Sequence, residues 1–156
     1  MSGVVKQSNI RTVLHEILRP ITSKMAVATS GGIDSASLVM AAKDLGKKQI
    51  IVSFTFDDFE SHDFKSARLL AKHFNIDFLP VILPSDQNEI VETVHYLIKE
   101  IKCKKKSAIE CMFPFVYLLK VLKENKIKTL VTGLAADGHF GLSKKAMIHY
   151  SKDDEK

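Results

Sequence analysis

The sequence predicts an α/β domain built on a doubly wound parallel sheet, with helices on both faces. Three observations indicate it. Four short apolar runs rich in β-forming residues alternate with helical patterns. Two of these runs, 25–29 and 128–132, stop at glycine-containing segments, and ligands bind beyond the carboxyl ends of the strands in such sheets. The 156 residues, 46% of them hydrophobic, suit a single domain with its own core.

The first half of the chain is predicted to hold three helices and two strands. Polar caps and the spacing of apolar residues place the boundaries. The elements are a helix capped by Ser8 and ended by Pro20, a strand at 25–29, a helix stopped by Gly46, a strand at 50–56, and a helix that starts at Ser61 or Asp63 and closes at Asn75. Strands separated by helices in this way pair in parallel.

The second half is predicted to add two strands to the sheet. The expected elements are a strand at 78–83, a helix capped by Ser85, a polar loop at 102–107, a helix with Pro114 in its first turn, and a strand at 128–132. Within the last helix, the residues expected to face the core are Val116, Leu119 and Leu122. We predict an N-terminal helical segment at 1–24, a domain at 25–150 and a charged tail at 151–156.

Composition excludes several classes of protein. The two cysteines, Cys103 and Cys111, cannot form a disulfide scaffold or a four-cysteine zinc site, and we expect partly buried, unreactive thiols. No apolar run approaches the roughly 18 residues of a membrane span. The N-terminus also lacks the apolar core of a signal peptide. These features predict an intracellular, cytoplasmic protein with no membrane partner.

The charge of the chain is moderately positive. There are 23 lysines and arginines against 18 acidic residues, a formal net charge of +5, which favours polyphosphate ligands. Only Arg11, Arg19 and Arg68 are arginines. Because arginine reads bases and phosphates by paired contacts, nucleic acid is not the favoured partner. The lysine-rich run at 102–106 is more typical of a solvated loop than of an RNA-binding segment.

The segment Ser-Gly-Gly-Ile-Asp-Ser at 30–35 lies between a predicted strand and a predicted helix. Two glycines allow a sharp turn that brings backbone N–H groups against an anion, and the following helix directs its positive end to the same place. Serine hydroxyls add donors, and Asp34 offers a hard oxygen ligand for Mg²⁺. From these residues alone, a plain helix start after a tight turn remains the alternative.

The hexapeptide resembles the pyrophosphate-binding SGGxDS loop of the PP-loop ATP pyrophosphatases, which have a Rossmann-like fold and cleave ATP between its α and β phosphates. The segment 132–141 also follows a predicted strand and is similar to the SGEGADExFGG segment of asparagine synthetase synthase domains. Residues 61–68 resemble the SPDLxxAR segment of that family, and 113–119 resemble its TPMYLLS segment. The resemblance covers roughly residues 20–150.

This resemblance implies a site and its ligands, ATP and Mg²⁺. The residues that would bind the phosphates are Ser30, Gly31, Gly32, Asp34 and Ser35. Asp34 and Asp137 would hold Mg²⁺ and act as the catalytic residues, since two aspartates from different strand ends can converge on a bridging Mg²⁺. Backbone at Phe56 and Gly133 would face the adenosine. From the residues alone, Asp137 is also explained as a turn aspartate in a glycine-rich loop.

Position 134 departs from the family pattern. Where the synthase domains carry a glutamate proposed to activate ammonia, this chain has Leu134, which can neither accept a proton nor hydrogen-bond an amine. His139, in the same segment, is a candidate acid or base; the alternative is a surface or packing role. Lys144 and Lys145 are candidates for contact with phosphate; the alternative is that they belong to a solvated face of the protein.

Three functions stay open at this point. The first is an enzyme that binds MgATP and adenylates an acceptor, with release of AMP and pyrophosphate, in ATP-dependent amide or amidine formation. The second is a nucleotide-binding module that has lost amination and works with a partner chain. The third is a PP-loop enzyme that modifies tRNA or nucleotides. The expected partner is a small-molecule acceptor; a partner chain that supplies nitrogen or completes the site is left open, as is a homodimer.

Overall fold

The computed structural model describes residues 9–133 of the chain. Over this range the chain forms five helices and four strands, which are α1 (Ile10–Leu18), β1 (Met25–Ala28), α2 (Ile33–Asp44), β2 (Gln49–Phe56), α3 (His62–Phe74), β3 (Asp77–Leu83), α4 (Gln87–Lys99), α5 (Lys106–Glu124) and β4 (Thr129–Thr132). Each predicted strand is present, with bounds within one residue of those expected. None of the helices in this range is long and apolar enough to span a membrane.

All four strands are parallel and lie in the order β3-β2-β1-β4, which confirms the predicted doubly wound sheet. The chain winds from β1 through β2 to β3, and α4 and α5 then return it to the other side of β1. The winding direction therefore reverses between β1 and β4, and open α/β sheets bind ligands at such a switch point. Ala28 and Thr132, the last residues of β1 and β4, are paired, so both strands end at the same level.

Side chains of β1 alternate between the two faces of the sheet and are buried on both. Met25 and Val27 pack in a cluster with residues of α1, α2 and α3, whereas Ala26 packs with residues of α5. α4 packs against α5. The buried hydroxyls of Thr93 and Tyr117 join these two helices by a hydrogen bond of 2.8 Å. Helices therefore cover both faces of the sheet, as predicted.

The predicted cap of α1 is wrong by one residue. Asn9 caps this helix, because its side-chain oxygen accepts the Arg11 N–H at 3.0 Å; Ser8, the predicted cap, lies outside the described residues. α3 begins and ends as predicted, with Ser61 accepting a first-turn N–H at 3.1 Å and Asn75 in the left-handed conformation, φ 52°. α1 lies within the predicted segment 1–24, whose boundaries, like those of 25–150 and 151–156, stay predictions.

The predicted cap of α4 is also wrong by one residue. Asp86 caps this helix, and its carboxylate accepts the N–H groups of Asn88 and Glu89, both at 3.0 Å. Ser85, the predicted cap, instead donates its hydroxyl to Asp57 at 2.6 Å. Serine and aspartate are about equally good caps. The contact with Asp57, which is distant in sequence, therefore decides which of the two neighbours caps the helix.

The last helix is longer than predicted. α5 begins at Lys106, so the end of the predicted loop is helical and Pro114 lies in the helix interior. The inward face is also shifted, because Leu118 is buried whereas Leu119, expected in the core, is 57% exposed. Proline in a helix interior is locally unfavourable. Side chains on both sides of Pro114, including Phe113, pack against the buried residues between α5 and the sheet. This packing outweighs the local cost of proline.

Pro114→Ala is expected to raise the free energy of unfolding by about 2 kcal/mol. Interior proline costs about 3 kcal/mol relative to alanine, because it lacks the N–H that would bond the Glu110 carbonyl. The greater freedom of alanine in the unfolded chain offsets about 1 kcal/mol of this gain. Urea unfolding followed by circular dichroism measures the change, with Ser107→Ala in the first turn as a control. An unchanged or lower midpoint at constant m-value would show that α5 is already adapted to proline.

Candidate active site

The turn after β1 requires glycine at position 31. Gly31 has a φ of +79°, which residues with a side chain rarely adopt. A Cβ atom added there would also lie 2.4 Å from the Cβ atom of Ser66 on α3, closer than two such atoms can approach. The backbone of the turn therefore packs directly against α3, and this contact fixes the direction in which the next residues enter α2.

α2 starts without a side-chain cap. Gly32 occupies the cap position, and no side chain bonds the first-turn N–H groups there, which have no partner inside the helix. Ser35 donates its hydroxyl to the Gly32 carbonyl at 3.0 Å and tightens the start of the helix. The uncapped N–H groups and the positive end of the helix dipole together favour an anion at this place.

An open cleft of about 480 Å³ lies at the carboxyl ends of β1, β2 and β4, at the switch point of the sheet. The predicted site residues that line it are Ser30, Gly32, Asp34, Ser35, Phe56 and Gly133. Gly31 supports the cleft through its contact with α3. The other candidates lie outside the described residues, and they are Leu134, Asp137, His139, Lys144 and Lys145.

Gly133 brings the end of β4 to the start of α2. A Cβ atom at position 133 would lie 3.6 Å from the Asp34 Cβ atom and 3.8 Å from the Ser35 backbone nitrogen. A larger side chain at this position would crowd the first turn of the helix. The beginnings of the two glycine-containing segments singled out in the sequence therefore meet at the cleft.

The cleft is also lined by polar and aromatic residues that were not predicted as site residues. They are Thr29, Ser53, Phe54, Thr55, Ser61, Asp63 and Phe115. Ser53 and Thr55 are buried polar residues two positions apart in the apolar strand β2, a pattern that could have marked one face of its end as part of a site. Phe54 and Phe115 have ring centres 6.0 Å apart. No local signal predicts this contact, because it joins β2 to α5.

The charged residues that line the described part of the cleft are both aspartates. Asp34 and Asp63 line it, and none of its lining residues between 9 and 133 is a lysine, arginine or histidine. A polyphosphate bound there would meet backbone donors and hydroxyls but also two like charges. A divalent cation would remove this repulsion, and the carboxylate of Asp34, exposed in the first turn of α2, suits Mg²⁺. Residues 9–133 hold no group of three potential ligands, so phosphate oxygens and water would complete the coordination.

A carboxylate beside the cleft joins β2 to the start of α4. The Oδ1 atom of Asp57 accepts the Ser85 hydroxyl at 2.6 Å and the Ser85 N–H at 3.2 Å. The Asp57 N–H in turn donates to the Leu83 carbonyl at 3.0 Å. The hydroxyl of Ser85 is the main reason that the pKa of Asp57 is lower than its ordinary value, and partial desolvation opposes this effect.

Ser85→Ala is expected to raise the pKa of Asp57 toward its ordinary value of 3.8. A pKa that is lowered by folding contributes stability above the unfolded pKa, and this stability is lost as the pH falls through the lower folded value. The stability of Ser85→Ala should therefore fall less steeply with decreasing pH in this acid range than that of the wild type. NMR titration of Asp57 should show the change in its pKa. Asp86→Ala is the control, because it should lower stability by about 1 kcal/mol without moving the pKa of Asp57. An unchanged pKa in Ser85→Ala would contradict the assigned cause.

Comparisons with known proteins agree with this geometry. The sequence matches the asparagine synthase family over residues 22–152. The fold resembles the NH3-dependent NAD synthetase of Campylobacter jejuni in complex with the nitrate ion, with a TM-score of 0.50, 14% identity, and coverage of 79% of this chain and 52% of that one. It also resembles the glutamine-dependent NAD⁺ synthetase of Acinetobacter baumannii in complex with ADP, with a TM-score of 0.55, 18% identity, and coverage of 88% of this chain and 27% of that one. No curated protein sequence gave a significant match.

The family match identifies a PP-loop domain of the ATP pyrophosphatase class, and the parallel sheet with a glycine turn at its switch point agrees with it. The chain belongs to the asparagine synthase family, because the family match covers most of its length. It spans about half of one NAD synthetase chain and about a quarter of the other. At 14% and 18% identity, the likeness to these two enzymes concerns the fold.

Proposed function

We propose that this chain binds MgATP in the cleft and adenylates a small-molecule acceptor, with release of pyrophosphate, as the first half of ATP-dependent amide or amidine formation. The observation that supports this most strongly is the uncapped start of α2 behind the Gly31 turn, at the switch point of a parallel sheet. A glycine turn followed by a helix start suits a chain of phosphates. The resemblance to ATP pyrophosphatases points to cleavage between the α and β phosphates.

In this proposal the described residues hold phosphate, metal and adenosine. The N–H groups of Asp34 and Ser35 would bind the β and γ phosphates. Ser30 accepts the Gly32 N–H at 3.3 Å and can donate its own hydrogen to a phosphate oxygen. The Asp34 carboxylate would hold Mg²⁺, which when bound neutralises phosphate charge and stabilises the departing pyrophosphate. Backbone at Phe56 and Gly133, both at the cleft, would contact the adenosine.

The proposed step is attack of an acceptor oxygen on the α phosphorus. A bond forms between that oxygen and phosphorus, the bond to the oxygen bridging the α and β phosphates breaks, and pyrophosphate leaves with the electron pair. Because the β and γ phosphates would be held together at the start of α2, the α phosphorus would face the rest of the cleft. A nitrogen nucleophile would then displace AMP from the adenylate.

Leu134 favours a second candidate, a nucleotide-binding module that has lost amination and works with a partner chain. General base catalysis contributes about 10²–10⁴-fold, and leucine at the position of the family's glutamate supplies none. Amino-acid analysis of products from aspartate, ATP and ammonia separates the candidates. Asparagine formation by Leu134→Glu but not by the wild type would support the loss of amination in this chain. Asparagine formation at a comparable rate by both would remove this second candidate.

Chromatography of the reaction products tests the proposed function. Purified protein with MgATP and a panel of carboxylic acids is expected to yield AMP and pyrophosphate. Asp34→Ala, which removes the proposed metal ligand, should abolish turnover in a matched preparation. ADP and phosphate as the main products would contradict adenylation and leave only nucleotide binding.

A further inference from the structure

A groove of about 550 Å³ lies between α4 and α5. Three of the apolar residues that line it, Tyr96, Ile101 and Leu119, are 46%, 47% and 57% exposed. The other apolar lining residues are Leu97, Met112 and Val116. Monomeric proteins rarely expose apolar side chains grouped in this way, and such a patch is typical of an interaction surface.

α5 carries apolar residues on two of its faces. Leu118 and Leu122 are buried and pack with residues of the sheet. Met112, Val116 and Leu119 are spaced by four and three residues, so they form a second apolar stripe, and this stripe lines the groove. A helix with apolar residues on opposite faces is typical of one that is covered on both sides. The spacing that predicts Leu119 to face inward therefore agrees with burial against a second surface.

The two rims of the groove carry opposite charges. Glu92 lies on the α4 rim, and Lys120 and Lys123 lie on the α5 rim. These three are the charged residues that line the groove between positions 9 and 133, and none of them forms an ion pair within that range. The acidic rim of one molecule is therefore complementary to the basic rim of another.

α4 and α5 form a helical hairpin. The short segment 100–105 connects them, so the two helices run in opposite directions, and the hydrogen bond between Thr93 and Tyr117 holds them side by side. Ile101 and Met112 line the groove at the end near the connection, and the charged residues lie at the other end. Both helices therefore present apolar residues near the connection and charged residues far from it.

We propose that a second copy of this chain covers the groove, in a homodimer whose two-fold axis runs parallel to α4 and α5. This axis places α4 of each protomer over α5 of the other, and each residue lies opposite those at its own level along the groove. Apolar surface then meets apolar surface, and Leu119 lies in the groove of the other protomer. Glu92 lies beside the partner's Lys120 and Lys123, and symmetry repeats this contact.

The apolar contact supplies most of the affinity of this dimer, and the rim charges fix its register. Because exposed ion pairs contribute little and the surface is only two helices wide, we expect a Kd of about 1–100 μM. No residue between 9 and 133 lines both this groove and the cleft. The dimer is therefore independent of the proposed function, and failure of one leaves the other standing.

Sedimentation equilibrium at concentrations around the expected Kd tests the dimer. The wild type is expected to change from monomer to dimer as its concentration rises. Leu119→Asp should weaken the dimer at least about tenfold, because the new carboxylate would be buried on apolar surface. Leu69→Asp is the matched control, because Leu69 on α3 is 66% exposed but lies outside the groove. This control should keep the Kd of the wild type, and circular dichroism verifies that both variants fold.

A charge exchange tests the two-fold arrangement. Glu92→Lys and Lys123→Glu should each weaken self-association, because like charges would meet at both symmetric contacts. In an equimolar mixture of the two variants, each protomer offers the charges that the other lacks, so a heterodimer should form with about the Kd of the wild type. A monomeric wild type throughout the concentration range would overturn the proposal and leave the groove to another protein. A dimer that is insensitive to Leu119→Asp, or a mixture that associates no better than either variant alone, would also overturn it.

Discussion

Asp34→Asn is expected to abolish the stabilisation of this protein by MgATP. A ligand that binds only the folded state, at a hundredfold excess over its Kd, adds about 2.7 kcal/mol to the free energy of unfolding. For a domain of this size that corresponds to a rise of about 5–10 °C in melting temperature. Without the Asp34 carboxylate, Mg²⁺ loses its proposed ligand at the start of α2, and uncompensated phosphate charge opposes binding. Differential scanning fluorimetry with millimolar MgATP measures the difference.

Asp44→Asn is the matched control for this experiment. Asp44 is an aspartate at the other end of α2, where it pairs with Arg11 at 2.8 Å, away from the cleft. This variant should keep the full shift with MgATP, even if its own melting temperature is lower. ATP with EDTA should give no shift in the wild type. A shift of the same size in the wild type and in Asp34→Asn would contradict the role of Asp34 as a metal ligand.

Gly31→Ala is expected to lower the free energy of unfolding by about 2–5 kcal/mol. The left-handed conformation costs a residue with a side chain about 1–2 kcal/mol, and the clash of its methyl group with Ser66 adds about 1–3 kcal/mol. Because the turn would have to move away from α3, the start of α2 would shift and stabilisation by MgATP should be lost as well. Urea unfolding and the MgATP melting assay measure the two effects separately.

Comparison with Gly46→Ala separates the stability lost by Gly31→Ala through the clash with Ser66 from the stability lost through the left-handed backbone conformation. Gly46 also has a positive φ, +63°, but a Cβ atom there would meet no atom within 4 Å, so we expect a loss of about 1–2 kcal/mol. Ser66→Gly should restore part of the stability of Gly31→Ala, although the Ser66 backbone carbon would still lie 3.1 Å from the added Cβ atom. Equal losses in Gly31→Ala and Gly46→Ala would show that the turn moves away from α3 freely.

The strands and the ends of several helices could be predicted because each carries its signal in adjacent residues. β2 is dense in β-branched and aromatic residues and is buried on both faces, which is typical of a parallel strand inside a sheet. Gly46 and Asn75 follow helices and adopt positive φ, which glycine and asparagine tolerate best. The turn at 30–32 was recognisable for the same reason, because its two glycines and following helix start are local features.

The wrong predictions, and the features that were not predicted, depend on contacts between residues that are distant in sequence. Ser85 and Asp86 are equivalent caps locally, and the choice between them depends on Asp57, which is 28 residues from Ser85. Pro114 is a local helix breaker, and packing of α5 against the sheet overrides it. The metal pair is untested, since Asp137 lies outside the described residues, and it stays a prediction.

Pro80 determines how the sheet meets other molecules at its β3 edge. The hydrogen bond from the Asp57 N–H to the Leu83 carbonyl shows that odd-numbered residues of β3 direct their backbone groups toward β2, so Pro80 directs its backbone nitrogen outward. A strand from another molecule that docked along this edge would lack a donor at the centre of the contact. β3 is thus a poor template for intermolecular sheet growth, and this protects a protein with exposed apolar surface beside that edge from aggregation.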